Sequence, residues 1–504
     1  MVQTLAETRG PGALRHARGP VAIVDIGSNS VRLVIYEAFS RLPAVVHNEK
    51  AICAIGRGMV TTGRLDDEGI TLAIEALARF RLLADAHNVT AREAVATAAA
   101  RDAGNGREFI RRAESAWGGP IIVLSGEEEA RLAAEGVLAG TPDADGLAAD
   151  LGGGSLDMVS VRNGKTGRAI TFPFGPLRLM DQSKGDPDKA RKIVDKGLED
   201  FGQDGDLKGR SLYAVGGVWR SFARIDMENR AYPLHVLQDY TIPRGRVLDL
   251  CDLLSRQSKK SLELMRVVSR RRIEALPYGS VVLERLLLAT GLKDVVISAY
   301  GLREGLLHAQ LPDAERAKDP LLEFAAGTNK RISRVPDHAE EMFKWMEPLF
   351  IGESAEEQRL RHAICLFSDM GWRRHPDDRS LGAFNQVLTA PFAGAGHRAR
   401  ALIATAIFHR YSGDEDFPAE IGAHDLLSAE DERLARRIGL AARLAFALSA
   451  SSTGELPHYR LRMTPTRVLV EMGRRREAIA GEPVQKRLGA LASVLERKGE
   501  ILIG

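Results

Sequence analysis

Two short segments, Asp25-Ile-Gly-Ser-Asn-Ser30 and Asp150-Leu-Gly-Gly-Gly-Ser155, offer the same chemistry at two places in one chain. A glycine-rich turn straight after a buried strand leaves backbone N–H groups uncovered, so that an anionic oxygen can approach; phosphate is the common guest. The candidate phosphate ligands are Gly27, Ser28, Asn29 and Ser30 in the first turn and Gly152, Gly153, Gly154 and Ser155 in the second. Asp25, Asp150 and Asp157 bring carboxylates to the same loops, where they would repel a phosphate unless a divalent cation lay between. Hard oxygen donors suit Mg²⁺, and Asp150 and Asp157 are the expected metal ligands. A single Asp-x-Gly turn is a common structural hairpin. Two at equivalent places in a repeated order point to a clamp that grips a phosphoryl group from both sides of a cleft.

A third segment, Ser125-Gly-Glu-Glu-Glu-Ala130, opens a helix. Ser125 and Glu128 have the spacing of a capping box, which gives Glu128 a structural task. Glu127 and Glu129 remain in the first turn, where the positive end of the helix dipole favours an ionised carboxylate that can act as a base. Arg101, at the end of the Ala94 to Ala100 run, should open on the same side, where its guanidinium can pair bidentately with phosphate oxygens.

The elements that must hold these residues follow from apolar periodicity. The order β-β-β-α-β-α-β-α is expected from Val21 to the helix beginning at Gly126, with Asp66 opening a long helix. It restarts at Leu147, with Asn163-Gly164 as a hairpin turn and Asp186-Pro187 as a helix start. The stretch from about 230 to 290 reads as added helices, and beyond Pro312 helical patterns take over. The predicted domains are a flexible basic tail at 1–19, two duplicated α/β domains at 20–143 and 144–312, and a helical domain at 313–504.

Composition excludes several classes. The chain has 504 residues, 44% hydrophobic and 27% charged, ordinary values for globular domains. No run of about 18 apolar residues occurs, so no membrane-spanning helix is expected. Its three cysteines, Cys53, Cys251 and Cys365, lie far apart, which argues against a disulfide framework or thiolate zinc site and for a reducing, cytoplasmic setting. Lys plus Arg total 70 against 67 Asp plus Glu, yet Arg460, Arg462, Arg467, Arg474, Arg475 and Arg476 cluster around one acid, Glu471. Such a stripe would attract a long polyanion by counterion release.

Val24-Asp-Ile-Gly-Ser-Asn-Ser-Val-Arg32, Ala96-Thr-Ala-Ala-Ala-Arg101, Ser125-Gly-Glu-Glu-Glu-Ala-Arg-Leu132, Ala149-Asp-Leu-Gly-Gly-Gly-Ser155, Val215-Gly-Gly-Val-Trp-Arg220 and Tyr300-Gly-Leu-Arg-Glu-Gly305 occur in this order. Together they resemble the exopolyphosphatase and guanosine pentaphosphate phosphohydrolase (Ppx/GppA) family of the actin-like ATPase superfamily. The resemblance implies an α/β fold of duplicated RNase H-like halves around a cleft, plus an all-helical C-terminal domain resembling the His-Asp (HD) fold. It implies a metal-dependent phosphohydrolase, with Glu129 as the base for an attacking water and Asp150 and Asp157 holding Mg²⁺ or Mn²⁺. Asn29, Arg101, Gly153, Gly154 and Ser155 would grip the phosphates, and Arg101 would offset charge on the transferring group. The expected partners are inorganic polyphosphate and guanosine pentaphosphate (pppGpp), with the chain as a homodimer and neither a membrane nor a specific nucleic acid.

The chain also departs from the family pattern. Arg272-Ile-Glu274 stands where Arg-Ala-Asp is common, and Ser155-Leu-Asp157 replaces Ser-Thr-Glu, shortening the second carboxylate by a methylene. Leu366-Phe-Ser-Asp369 carries Ser368 where HD enzymes need histidine, so no second active site is expected there. Three other readings compete with exopolyphosphatase: a pentaphosphate phosphatase of the stringent response, an actin-like kinase or ATPase binding adenosine at Val215-Gly-Gly-Val218, and a silent polyanion-binding protein.

Overall fold

The computed structural model describes residues 12–201, 206–265, 267–269, 272–413 and 422–504. Two compact units emerge, one of residues up to 231 plus 237–318, the other of 232–236 plus 319–504.

The first unit holds two sheets built to one plan. β1 (Val21–Ile26), β2 (Ser30–Tyr36), β3 (Val45–Ile52), β4 (Ala91–Ala96) and β5 (Ile121–Val123) form a sheet in the order β3-β2-β1-β4-β5. β1 runs antiparallel to β2 and parallel to β4. β6 (Gly146–Leu151), β7 (Leu156–Arg162), β8 (Lys165–Phe172), β9 (Ser211–Val215), β10 (Tyr240–Pro243) and β11 (Asp294–Ile297) repeat the plan as β8-β7-β6-β9-β11, with β10 added on the edge. This is the duplicated RNase H-like fold. The central strands β1 and β6 are apolar runs covered on both faces, whereas the edge strand β3 is half polar and half-exposed. The added segment is thus not purely helical: Tyr240–Pro243 finds an open edge beside β11 and pairs with it antiparallel.

Local signals set the helix starts. Asp66 caps the helix Asp67–Ala86 by accepting from Gly69 N–H at 2.8 Å. Asp186 caps Pro187–Leu198, and Ser125 with Glu128 forms a complete capping box on Gly126–Gly140.

The two halves in sequence are not the two halves in space. Helix Gly126–Gly140 buries Ala130, Ala134, Val137 and Leu138 against Ala148, Val159, Val161 and Tyr213 of the second sheet. Helix Leu302–Gln310 buries Leu302, Leu306 and Leu307 against Val21, Ile23, Val34 and Val95 of the first. Each half therefore ends in a helix that packs on its sister's sheet, and Leu132 of the first such helix also enters the core of the first sheet. The two helices cross at glycines: a Cβ on Gly305 would lie 1.7 Å from Leu132 O, and one on Gly136 2.2 Å from Gly301 O. No other residue fits at either position.

The expected loose tail is corrected in part. Residues 1–11, with Arg9, lie outside the described residues, but Ala13–His16 forms a 3₁₀ turn. Leu14 within it is fully buried, and its N–H donates to Gln310 Oε1 at 3.2 Å. An apolar side chain with a place in a core overrides the Gly, Pro and Arg around it.

The second unit is helical around one core but not all-helical. Tyr459–Met463 (β12), Arg467–Met472 (β13) and Lys498–Ile503 (β14) form a three-stranded sheet with β13 in the centre. Tyr459 and Leu461 point inward while Arg460 and Arg462 point out, so the first part of the basic stripe lies on the polar face of a strand pair, while Arg474, Arg475 and Arg476 open the 3₁₀ segment Arg474–Ala480. Cys53, Cys251 and Cys365 are free and buried. No described helix is long and apolar enough to cross a membrane.

Candidate active site

The two glycine loops are closed in the same way. Gly27 N–H donates to Ser30 O and Gly152 N–H to Ser155 O, each at 3.0 Å, closing the tip of its hairpin. Each loop is braced from outside through its carbonyls: Gly56 N–H donates to Ser28 O at 2.9 Å, and Leu177 N–H to Gly153 O at 3.1 Å. The N–H groups of Ser28, Asn29, Gly153 and Gly154 meet no protein acceptor among the described residues. The loops face each other, since a Cβ on Gly153 would come 3.1 Å from Ser28 Oγ. The arrangement is a gap lined by unused donors, which suits an anion.

The three glutamates of the Ser125 segment separate cleanly. Glu127 is 72% exposed and pairs loosely with Arg131, while Glu128 returns to Ser125 N–H at 2.8 Å. Glu129 is only 17% exposed and lies 3.7 Å from Arg101 Nη1. Arg101 is held at the end of the short helix Ala98–Asp102 by Leu124 O and Asp102, both at 2.9 Å. Burial, then the nearby Asp157 and Asp150, push the Glu129 carboxyl up to about 8, with Arg101 pulling the other way. A base poised near neutral pH is the result.

Asp150 and Asp157 are direct cross-strand partners on β6 and β7. Asp157 is 4% exposed and accepts from Ser155 Oγ and Thr171 Oγ1, each at 2.8 Å. The Ser155 hydroxyl thus orients Asp157 instead of pointing at a phosphate. Burial and Asp157 raise Asp150 to about 7, and burial raises Asp157 as well. Carboxylates packed against their own repulsion fit a divalent cation, which would relieve it. Among the described residues no three His, Cys, Asp or Glu side chains form a cage. The two carboxylates fit a divalent cation whose remaining positions are left to water and substrate.

The expected residues Glu129, Arg101, Asp150 and Asp157 come together with both loops. Sequence reasoning missed the cations around them. Arg303 is 14% exposed, 4.0 Å from Asp25, and its buried Nε has no hydrogen-bond acceptor among the described residues. Burial lowers Arg220 to about 10, with Asp150 opposing and Arg272 and Arg303 adding to the fall. Burial, then Arg272, Arg32, Arg220 and Arg303, lower Lys50. Arg32, Arg220 and Arg303 each lie inside a motif quoted above, so their positions were visible while their convergence was not. The Gly216-Gly217 turn needs its glycines: Gly216 has φ +111° and a Cβ there would meet Leu151 O at 2.6 Å, and a Cβ on Gly217 would meet the Arg272 guanidinium at 2.9 Å.

The C-terminal stripe is partly neutralised. Arg462 pairs with Glu471 at 2.7 Å and Arg476 with Glu455 at 3.4 Å, and Arg467 pairs with Glu500. Arg460, Arg474 and Arg475 stay exposed.

Comparison with known proteins agrees with this geometry. The Ppx/GppA phosphatase family matches residues 34–314, and the family described as exopolyphosphatase, C-terminal, matches 325–502. Exopolyphosphatase 2 of Mycobacterium tuberculosis is 26% identical over 309 residues, covering 57% of this chain and 97% of its own. Retrograde regulation protein 2 of Saccharomyces cerevisiae is 25% identical over 442 residues, covering 79% of this chain and 74% of its own. The solved PPX-GPPA enzyme of Aquifex aeolicus is 26% identical with a TM-score of 0.51, over 57% of this chain and 98% of that one.

Proposed function

The chain belongs to the Ppx/GppA phosphatase family, and from that premise we propose that it is an exopolyphosphatase, cutting the terminal phosphate from inorganic polyphosphate with an activated water. The observation that carries this reading is Glu129, the one glutamate of its segment turned into the cleft, beside Arg101 and opposite two buried carboxylates. The terminal phosphoryl group sits between the loops, its oxygens on the free N–H groups of Ser28, Asn29, Gly153 and Gly154. Glu129 takes a proton from the water as its oxygen bonds to phosphorus; the bridging P–O bond breaks and the shortened chain leaves with its electrons. Arg101 offsets charge on the transferring group. Asp150 and Asp157 are the residues that would hold Mg²⁺ or Mn²⁺, which supplies further neutralisation of phosphate oxygens when bound. Arg303, Arg220, Arg272, Arg32 and Lys50 answer the charge of the phosphates behind the scissile bond.

Arg460, Arg474 and Arg475 are the part of the stripe free to hold a distal chain. That role requires a long polyanion, since single exposed arginines bind little.

The test is phosphate release from long polyphosphate, tripolyphosphate and guanosine pentaphosphate, measured side by side without ATP. Faster release from long polyphosphate is expected. A clear preference for guanosine pentaphosphate would make the chain a pentaphosphate phosphatase, and no release from any of the three would overturn the hydrolytic reading.

A further inference from the structure

The second unit contains a cavity of about 640 Å³ whose lining includes Arg334, Arg379, Arg410, Arg443 and Arg487. Asp377 is the one acid in that lining, and it faces His375 at 3.6 Å. The neighbouring Asp369 is already committed: it accepts from Arg334 Nη2 at 2.6 Å, from Arg334 Nε at 3.1 Å and from the Arg334 N–H at 3.0 Å. Ser368 beside it is fully buried and donates to Ile364 O at 2.7 Å. The Leu366-Phe-Ser-Asp369 segment thus presents nothing to a metal, and what surrounds it is cationic.

Three aromatic rings hold this charge in place. The Arg410 guanidinium lies 3.7 Å from the Phe446 ring centre and 4.5 Å from that of Tyr411, and Arg334 lies 5.6 Å from that of Trp372. The rings are therefore used in orienting guanidinium groups, not in offering a face to a base. Arg410 is 8% exposed, and its buried Nε, like that of Arg379, has no acceptor among the described residues. Arg379 Nη2 already donates to Arg374 O at 3.2 Å; a buried N–H left without an acceptor is costly to keep, and an anion that supplies one removes the cost.

We propose that this cavity is a binding site for an oligophosphate anion, carried wholly by the second unit. Planar guanidinium forks match phosphate oxygens bidentately. Arg334 is neutralised by Asp369, but the other four, with Asp377 as the one acid in the lining, call for several negative charges on one ligand, and a volume in the usual range for small-molecule sites admits a short phosphate chain. The chain can come as inorganic polyphosphate or as the tail of a nucleotide. The inference does not depend on the hydrolytic reading, because none of these residues belongs to the cleft.

The test is calorimetric titration of the full chain in EDTA with tripolyphosphate and, in a second arm, ATP. Arg487→Glu, at a half-exposed helix position, and Arg410→Met, which keeps most of the volume against Phe446, should each weaken binding at least tenfold. Arg303→Gln, in the cleft, should leave it within twofold. Tripolyphosphate binding as tight as ATP or tighter assigns the site to the bare chain; a tenfold preference for ATP assigns it to a nucleotide. Absence of binding at millimolar ligand, or binding lost in Arg303→Gln and kept in a folded Arg487→Glu, would overturn the proposal. Phosphate release measured on the same variants with metal reports separately on the cleft.

Discussion

Ser28 and Gly153 belong to different copies of a duplicated unit, yet a first side-chain atom on Gly153 would stand 3.1 Å from Ser28 Oγ. The space between the loops is thus set by the absence of one carbon. Gly154, beside it, would place a Cβ with no atom within 4 Å. Gly154→Ala should therefore fold and melt like the parent, and a methyl there can only meet substrate. We expect a fall in kcat/KM of about tenfold or more, the scale on which misplacement by an ångström acts. Unchanged kinetics would place the phosphate elsewhere.

Glu129→Gln should cut turnover by about 10² or more, the usual scale for a lost general base. Its effect on stability has a distinctive sign. The Glu129 carboxyl titrates at about 8 when folded against 4.5 ordinarily, so the folded protein binds the extra proton and loses stability as pH rises between those values. In EDTA the variant should melt higher than the parent, with a gap that widens from pH 5 to pH 8. Thermal melts across that range decide it.

Ser125→Ala should cost roughly 1 kcal/mol through loss of the cap, seen as a lower denaturant midpoint with kcat little changed. Glu128→Gln should behave similarly and more mildly. Were Glu128→Gln instead to abolish turnover, the roles of Glu128 and Glu129 would be reversed.

His338 gives the second unit its own acid limit. Burial, then Arg410, lowers its pKa to about 4, and its Nε2 lies 2.7 Å from Ser449 Oγ. Arg334 and Asp369 also face it. The unfolded chain takes up the proton first, so stability falls as pH drops from about 6.5 to about 4, at most about 1.4 kcal/mol per pH unit for one proton. His338→Gln should flatten that slope, which denaturant titrations at pH 4.5 and 7 would reveal.

Reversing Arg460, Arg474 and Arg475 to Glu should weaken long-chain affinity and lower its salt dependence while sparing the rate on tripolyphosphate. Equal affinity for long chains at low and high salt would assign the exposed arginines to something else.

What was legible in the sequence was local. Asp66, Ser125 and Asp186 mark helix starts because a cap is a contact within three residues. The hairpin tips were legible because a turn states its own geometry. The capping box claimed Glu128 and left Glu127 and Glu129 open, and only the family resemblance chose Glu129 between them. Arg303 and Arg220 were quoted but given no role, since a buried arginine looks like a surface one until distant segments close over it. Tyr459-Arg-Leu-Arg-Met463 did alternate with period two, the signature of a half-buried strand. Its arginines drew attention as charge and hid the pattern.

The reciprocal helix exchange in the first unit has a consequence for how the protein is made. As the chain leaves the ribosome, the first sheet is complete after β5, but the cover that Leu14 and Leu132 give Val21, Ile23, Val34 and Val95 stays partial until Leu302, Leu306 and Leu307 are translated. The earliest-made half must wait, with a greasy face partly open, for almost the last segment of its sister, an order that favours holding by chaperones and penalises any premature stop before residue 302.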